Sequence, residues 1–449
     1  MMTRSLLIKP NMDDFYPKAV RGSGIYLFDD SGKQYLDGSS GAVTASLGHT
    51  VPEIIEAMHE QSKKLSFVYR SQFTSDPAEK LAEKLNQLVN AETDYWSFFV
   101  NSGSEATETA LKIAIQYWQE RGQDKKNKIL SRWISYHGIT IGALSMSGHV
   151  KRRERFVPLL ENYPSISAPY CYRCPFNLEY PDCQLFCASE LETAIQRVGV
   201  DHVAAFIAEP MIGAAGGVIV PPKGYYEQIK EICDRYDILF IADEVMTGIG
   251  RTGKMFGLDH WNVKADIIAL GKGMSAGYSP IAAALANEKV MMSIVDGSKS
   301  IMSGHTYSAN PQSAAVALAV IDYIEKNQLV DRVKESGTVL FQKLANLKNN
   351  YPIIGNIRGK GLMIGIEFVA DLKKKIPFNK AKTLTKLIVE TARNKGLLLY
   401  PASAGKDGID GDAIIISPPF TITKEEIDLL VTLFEETLRD VQARLEENI

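Results

Sequence analysis

No apolar run in this 449-residue chain is long enough to cross a bilayer. The most apolar stretch, Val203 to Pro221, is broken by Glu209, Pro210 and several glycines. A spanning helix needs about 20 predominantly apolar residues in succession. The amino-terminal MMTRSLLIKPNMDD lacks the apolar core of a secretory signal. A soluble, cytoplasmic protein is therefore expected. Neither sign of charge prevails, with 50 Lys+Arg against 53 Asp+Glu and a net charge of −3. That balance removes the electrostatic case for nucleic acid or an anionic membrane as a partner. Internal repeats and low-complexity tracts are also missing. With 45% hydrophobic and 23% charged residues, the composition is that of an ordinary globular chain rather than a collagen, coiled coil or disordered one. At roughly 150 residues per domain, the length suits about two or three domains.

Cysteine is scarce and unevenly placed. Four of the five, Cys171, Cys174, Cys183 and Cys187, share one segment, with Cys233 apart. The Cys-x2-Cys half resembles a zinc knuckle, but the second half is not standard and the pairs stand close together. A structural zinc and a reduced loop of packed thiols both remain open. The reduced loop is the preferred reading, and no metal site is assigned. A disulfide framework is not expected in a cytosolic enzyme.

What the chain does have is a set of short apolar strands with chemistry at their ends. Ile267–Leu270 is followed by Gly271-Lys272-Gly273. Ile238–Ala242 ends in Asp243, and Val203–Ala208 ends in Glu209. From about residue 95, strands alternate with helical segments, the pattern of a largely parallel sheet. In such a sheet, ligands collect outside the carboxyl ends of the strands. Before it, Gly24–Phe28 and Gln34–Asp37 flank a polar turn and predict a hairpin. Helices are expected from Pro52 and from Asp76-Pro77, with Asp76 as cap. A continuous periodicity from Pro311 to about Asn349 predicts one long helix. Gly355–Phe368 predicts strand, turn and strand. Leu397–Tyr400 and Ala413–Ser417 predict further strands, and a last helix begins at Thr423. The chain thus divides into a large α/β domain, residues 60–330, and a smaller domain built from residues 1–59 and 331–449.

Several residues suit one kind of chemistry. Ser102 and Glu105 match the S-x-x-E capping box at a helix start. The free N–H groups there form an anion site that a phosphate can approach over Gly103. Tyr136-His137-Gly138 sets an aromatic ring beside a glycine, suited to stacking on a flat ring. A carboxylate at the end of an apolar strand, such as Asp243, is costly unless paired, and a protonated pyridine nitrogen is a good partner. A desolvated lysine amine such as Lys272 becomes nucleophilic. It can form an aldimine and then serve as general base. His305-Thr306-Tyr307 offers a hydroxyl and an N–H to a phosphate. Together, a strand-end lysine and an acidic partner for a ring nitrogen are what pyridoxal phosphate chemistry requires.

These residues resemble a known family. NSGSEA at 101–106, YHG at 136–138, AEP at 208–210 and IADEVMTGIGRTGK at 241–254 occur in the order seen in class III aminotransferases. DIIALGKG at 266–273, HTYSANP at 305–311, RGKGLMIGIEF at 358–368 and SPPF at 417–420 continue it. The resemblance implies a pyridoxal-phosphate enzyme of fold type I. It would be an α/β protein with a mostly parallel central sheet and a smaller α+β domain. By resemblance, Lys272 forms the internal aldimine and Asp243 pairs with the pyridine nitrogen. Tyr136 and Val245 pack on opposite ring faces. Gly103 and Ser104 hold the phosphate, joined by Thr306 from the partner subunit of a homodimer, or of a dimer of dimers. Ser102, His137 and Glu209 complete the expected cofactor-binding set, and Lys272, Asp243 and Tyr136 are the expected catalytic residues.

The departures from the family pattern bear on substrate. Ile139 follows Tyr-His-Gly where members acting on 4-aminobutyrate-like substrates often carry arginine. The stretch 404–412 has no arginine where amine:pyruvate members often do. Arg70, with Lys406 as the weaker candidate, is left to bind a substrate carboxylate. Val43, where amine transaminases often carry a bulky aromatic, suggests a roomier pocket. The Cys171–Cys187 insertion resembles a segment of some members that take ω-amino substrates. The expected reaction moves an amino group from an ω-amino acid, diamine or other primary amine to pyruvate or 2-oxoglutarate. The same scaffold also hosts aminomutases, racemases and amine lyases. A pyridoxal-phosphate-binding regulator would carry a DNA-binding extension, and no such basic module is visible.

Overall fold

The computed structural model describes residues 6–447. Met1–Ser5, which open the segment inspected for a signal sequence, and Asn448–Ile449, where the last helix was expected to run out, lie outside the described residues. The core of the fold is a seven-stranded sheet. Its order is Tyr95–Val100, Ala282–Asn287, Ile267–Leu270, Leu239–Asp243, Val203–Ala208, Lys128–Arg132 and Ser165–Ile166. Every pairing is parallel except those of Ala282–Asn287, which runs against both neighbours. Leu239–Asp243, Val203–Ala208 and Ile267–Leu270 are buried along their whole length. Helices cover both faces of such a sheet, so its strands read as continuous apolar runs rather than alternating ones.

Two four-stranded sheets flank it. One joins Ala19–Ser23, Tyr26–Asp29 and Gln34–Asp37 to Leu397–Leu398 from the far end of the chain, which pairs in parallel with Gln34–Asp37. The expected hairpin is closed by Asp29, whose Oδ1 accepts from the N–H groups of Ser31 at 2.9 Å and Lys33 at 3.0 Å. The other sheet is antiparallel, in the order Ile354–Lys360, Met363–Phe368, Asp412–Ile416 and Tyr400–Ser403. No helix among the described residues is long and apolar enough to cross a membrane.

Four expectations need correction. The helix at residue 76 takes Ser75 as its N-cap, so Asp76 and Pro77 both lie inside its first turn. The long helix expected from Pro311 is two helices, Pro311–Lys326 and Leu329–Leu347. The break comes at Gln328, whose φ of 50° no helix accommodates, while Asn327 Nδ2 donates to Tyr323 O at 2.8 Å. The single strand expected at Leu397–Tyr400 divides at Leu399, and its two halves enter different sheets. The last helix begins at Lys424. Thr423 precedes it as half of a capping box, exchanging bonds with Glu426 at 2.9 and 3.2 Å.

Candidate active site

The three strand ends singled out in the sequence meet. Lys272, Asp243 and Glu209 line one cavity of about 190 Å³ together with Ser102, Gly103, Ser104, Tyr136, His137 and Val245. Each side chain arrives for a local reason. Ser102 caps the 18-residue helix Gly103–Glu120, its Oγ accepting from Glu105 N at 3.2 Å. The return half of the box is displaced by one residue: Glu105 Oε2 accepts from Asn101 N at 2.6 Å. The N–H groups of Gly103 and Ser104 have no partner among the described residues, so this helix start presents free donors to the cavity.

Asp243 ends its strand buried, and both its oxygens are engaged. Oδ2 lies 2.7 Å from His137 Nδ1, and Oδ1 accepts from Val245 N at 3.1 Å. An ionised carboxylate has about four acceptor positions, so capacity for a further donor remains. His137 Nε2 is buried and has no partner among the described residues. Glu209 is fixed by two backbone donors, Tyr136 N at 2.9 Å and Gly213 N at 2.8 Å. Burial raises its carboxyl above the usual range.

Lys272 occupies the left-handed region, with φ at 41°. Such a conformation costs a side-chain-bearing residue about 1–2 kcal/mol, and strain of this kind concentrates at functional sites. The flanking glycines were expected to supply backbone freedom. Gly271 is instead extended, and it serves close packing: a Cβ there would stand 3.3 Å from Val245 Cγ1. Burial pushes the Lys272 amine down to about 8. Asp243 and Glu209 oppose the shift, and Arg152 and Arg251 add to it.

Arg251, in the GRTG motif, is structural. Its Nη1 donates to Leu362 O at 3.1 Å and Pro418 O at 2.7 Å, and its Nη2 donates to Ser40 Oγ at 3.2 Å. It therefore ties the GKGLM and SPPF motifs together.

Four expected residues do not line this cavity. Val43 is buried with φ at 59° but stands apart from it. Lys406 is exposed and borders a different cavity, beside Trp133 and Tyr170. Arg70 donates to Ser303 O, and its guanidinium lies 4.8 Å from the Phe98 ring centroid. Thr306 is exposed and outside the cavity of its own chain. Met246, Ala214 and Gly138 also line the cavity. The reading of the sequence passed over Met246 and Ala214, and over Arg152, which is exposed and outside this cavity's lining, its guanidinium 4.7 Å from the Tyr136 ring centroid.

The class-III aminotransferase family model matches residues 8–438. The chain belongs to the class-III aminotransferases. An uncharacterized aminotransferase of Bacillus subtilis, YodT, is 52% identical over 444 residues, covering 99% of this chain and 100% of that one. Taurine–pyruvate aminotransferase of Bilophila wadsworthia is 36% identical, covering 95% and 92%. The crystal structure of an amine transaminase from an uncultivated Pseudomonas species, in its pyridoxal-phosphate-bound form, superposes with a TM-score of 0.92 at 35% identity. It covers 98% of this chain and 99% of that one. This aminotransferase is therefore an α/β enzyme of fold type I that uses pyridoxal 5'-phosphate.

The cavity fits that cofactor on its own evidence. A Cβ at Gly103 would lie 2.7 Å from Val245 Cγ1, and one at Gly138 would lie 2.6 Å from Ser104 Oγ. At these two points the neighbours pack directly on glycine, so the cavity wall there is backbone rather than side chain. Free helix-terminal donors stand at one end for a phosphate, and a buried carboxylate and a depressed amine complete the donor set.

All five cysteines of the aminotransferase are free. Cys171, Cys174, Cys183 and Cys187 line a common small cavity. Burial raises the thiols of Cys171 and, to about 12, Cys187, with Cys174 and Cys183 adding to each. No group of three or more His, Cys, Asp or Glu among the described residues is arranged to hold a metal ion.

Proposed function

We propose that this aminotransferase moves an amino group from an ω-amino acid, diamine or related primary amine to a 2-oxo acid, pyruvate or 2-oxoglutarate. The observation that carries the reading is the Lys272 amine, held near 8 at a strand end and sharing its cavity with Asp243 and the capped helix start. The relative named for taurine and pyruvate, and the neighbours named as amine and ω-transaminases, support the substrate class.

Bound pyridoxal phosphate supplies a cationic ring that accepts electrons from the carbon bearing the amine. The chain does the rest. Gly103 and Ser104 would donate backbone N–H groups to the cofactor's phosphate. Tyr136 and Val245 would confine its ring. Asp243, positioned by His137, would hold the proton on the ring nitrogen. Lys272 Nζ would hold the cofactor and would serve as the base for the proton on the amine-bearing carbon. The exchange balances without an outside oxidant, because the amine and the carbonyl oxygen trade places between donor and acceptor.

Residues 60–330 form the cofactor domain in this reading, and residues 1–59 with 331–449 the smaller one. Two copies form a cytoplasmic homodimer, in which exposed Thr306 completes the partner's phosphate site. A panel of amines tested against pyruvate and 2-oxoglutarate checks the proposal. Amino-acid product from a primary or ω-amine is the expected result, and turnover of substrate without an acceptor would favour a mutase or lyase instead.

A further inference from the structure

The run Lys151-Arg152-Arg153 looks like a solvated basic stretch, yet its three cations have three different fates. Arg153 is committed to the fold, its Nη1 donating to the carbonyls of Leu144, Ser145 and Ser147 at 2.9, 2.9 and 2.8 Å. Lys151 borders a separate groove with Asp14 and Asp412. Arg152 lies over Tyr136, 4.7 Å from the ring centroid, and Tyr136 lines the cavity that contains Lys272.

The charge of Arg152 is not neutralised by the protein. It makes no ion pair among the described residues, and its one hydrogen bond is from its backbone N–H to His149 O at 3.1 Å. The two carboxylates at the cavity already have other partners: Asp243 faces His137 and Val245 N, and Glu209 faces the N–H groups of Tyr136 and Gly213. The guanidinium is exposed at the rim, outside the cavity's own lining, and its charge is felt within: it is among the groups that lower the Lys272 amine. It is also felt by the Tyr400 hydroxyl. A guanidinium laid on an aromatic face keeps its N–H fork available, and that fork matches a carboxylate with two parallel hydrogen bonds.

We propose that Arg152 is the specificity-determining residue that receives the carboxylate of the 2-oxo acid, and of the amino acid it becomes. The acceptor class is then 2-oxo acids in preference to aldehydes and ketones without an acid group. This assignment rests on the aminotransferase reading above, and it gives to Arg152 the role that the sequence left to Arg70 or Lys406.

The test uses the holoenzyme and the variants Arg152→Gln, Arg152→Lys and Arg70→Ala, with pyruvate and propanal as acceptors. The ratio of kcat/KM for pyruvate to that for propanal falls about tenfold or more in R152Q, as expected for a lost charge-assisted pair. The fall lies mainly in KM, and R152K recovers part of it. Propionate, which carries the carboxylate but no carbonyl, is titrated through the absorbance of the bound cofactor without turnover. Its Kd rises by about the same factor in R152Q. An unchanged ratio and an unchanged propionate Kd in R152Q, or a loss found in R70A instead, would overturn the assignment. Propionate binding also separates the two readings. If it depends on Arg152 while no amine is turned over, the donor class is wrong and Arg152 stands.

Discussion

His137 Nδ1 lies 2.7 Å from Asp243 Oδ2, and the two side chains are 0% and 4% exposed. The imidazole fixes the rotamer of a carboxylate that ends a fully buried strand. It does so with Nδ1 as the donor, the tautomer that an acceptor-only carboxylate demands.

Removing that donor leaves a buried oxygen unsatisfied. His137→Leu is expected to lower stability by about 1–3 kcal/mol, the cost of a buried acceptor without a partner. Denaturant titration of the apoenzyme checks this, with the midpoint shifting and the slope unchanged. An unaltered midpoint would mean that the pair carries no structural load.

Asp243→Asn keeps the shape and removes the charge. The rate of the first half-reaction is expected to fall on the order of a hundredfold or more, comparable to losing a preorganised electrostatic group. Amine binding should change far less. Single-turnover absorbance measurements separate the two effects, and a rise in Kd with an unchanged rate would contradict the role given to this carboxylate.

The Lys272 amine, brought down to about 8 by burial, predicts a pH profile. Only the neutral amine attacks an aldehyde. Below the pKa its fraction drops tenfold per pH unit, and above it the fraction saturates. The rate at which apoenzyme takes up pyridoxal phosphate should therefore climb from pH 6 and level off near pH 8. An ordinary lysine would show no plateau before about 10.4.

Much of this site could be read in the chain because strand ends in a buried sheet are marked by what interrupts the apolar run. Glu209, Asp243 and Lys272 each stop one. Ser102 with Glu105 was legible as a helix start, although the displaced bond to Asn101 was not. The long periodicity after Pro311 concealed a break, since Asn327 and Gln328 fall on polar positions and leave the apolar spacing undisturbed. Arg152 was hidden for a different reason. In the sequence it is one of several basic residues between Lys151 and Arg155, and only the fold shows which one stands over Tyr136. Thr306, expected by resemblance to act across a dimer, is exposed and lies outside its own chain's cavity.

Gly103 tests the close packing of Val245 at the cavity wall. A methyl group there would reach Val245 Cγ1 at 2.7 Å, so Gly103→Ala should raise the Kd for pyridoxal phosphate about tenfold. Adding Val245→Ala removes the clash and should recover part of the loss, a coupling that a double-mutant cycle reads directly. Additive losses would show that the two side chains do not confine the same ligand.

The most direct measurement is borohydride reduction of the enzyme loaded with pyridoxal phosphate, followed by peptide mass spectrometry. One stable adduct is expected, on Lys272, and it is missing from Lys272→Ala. An adduct on another lysine, or a loaded protein from which the cofactor dialyses away after reduction, would contradict that expectation.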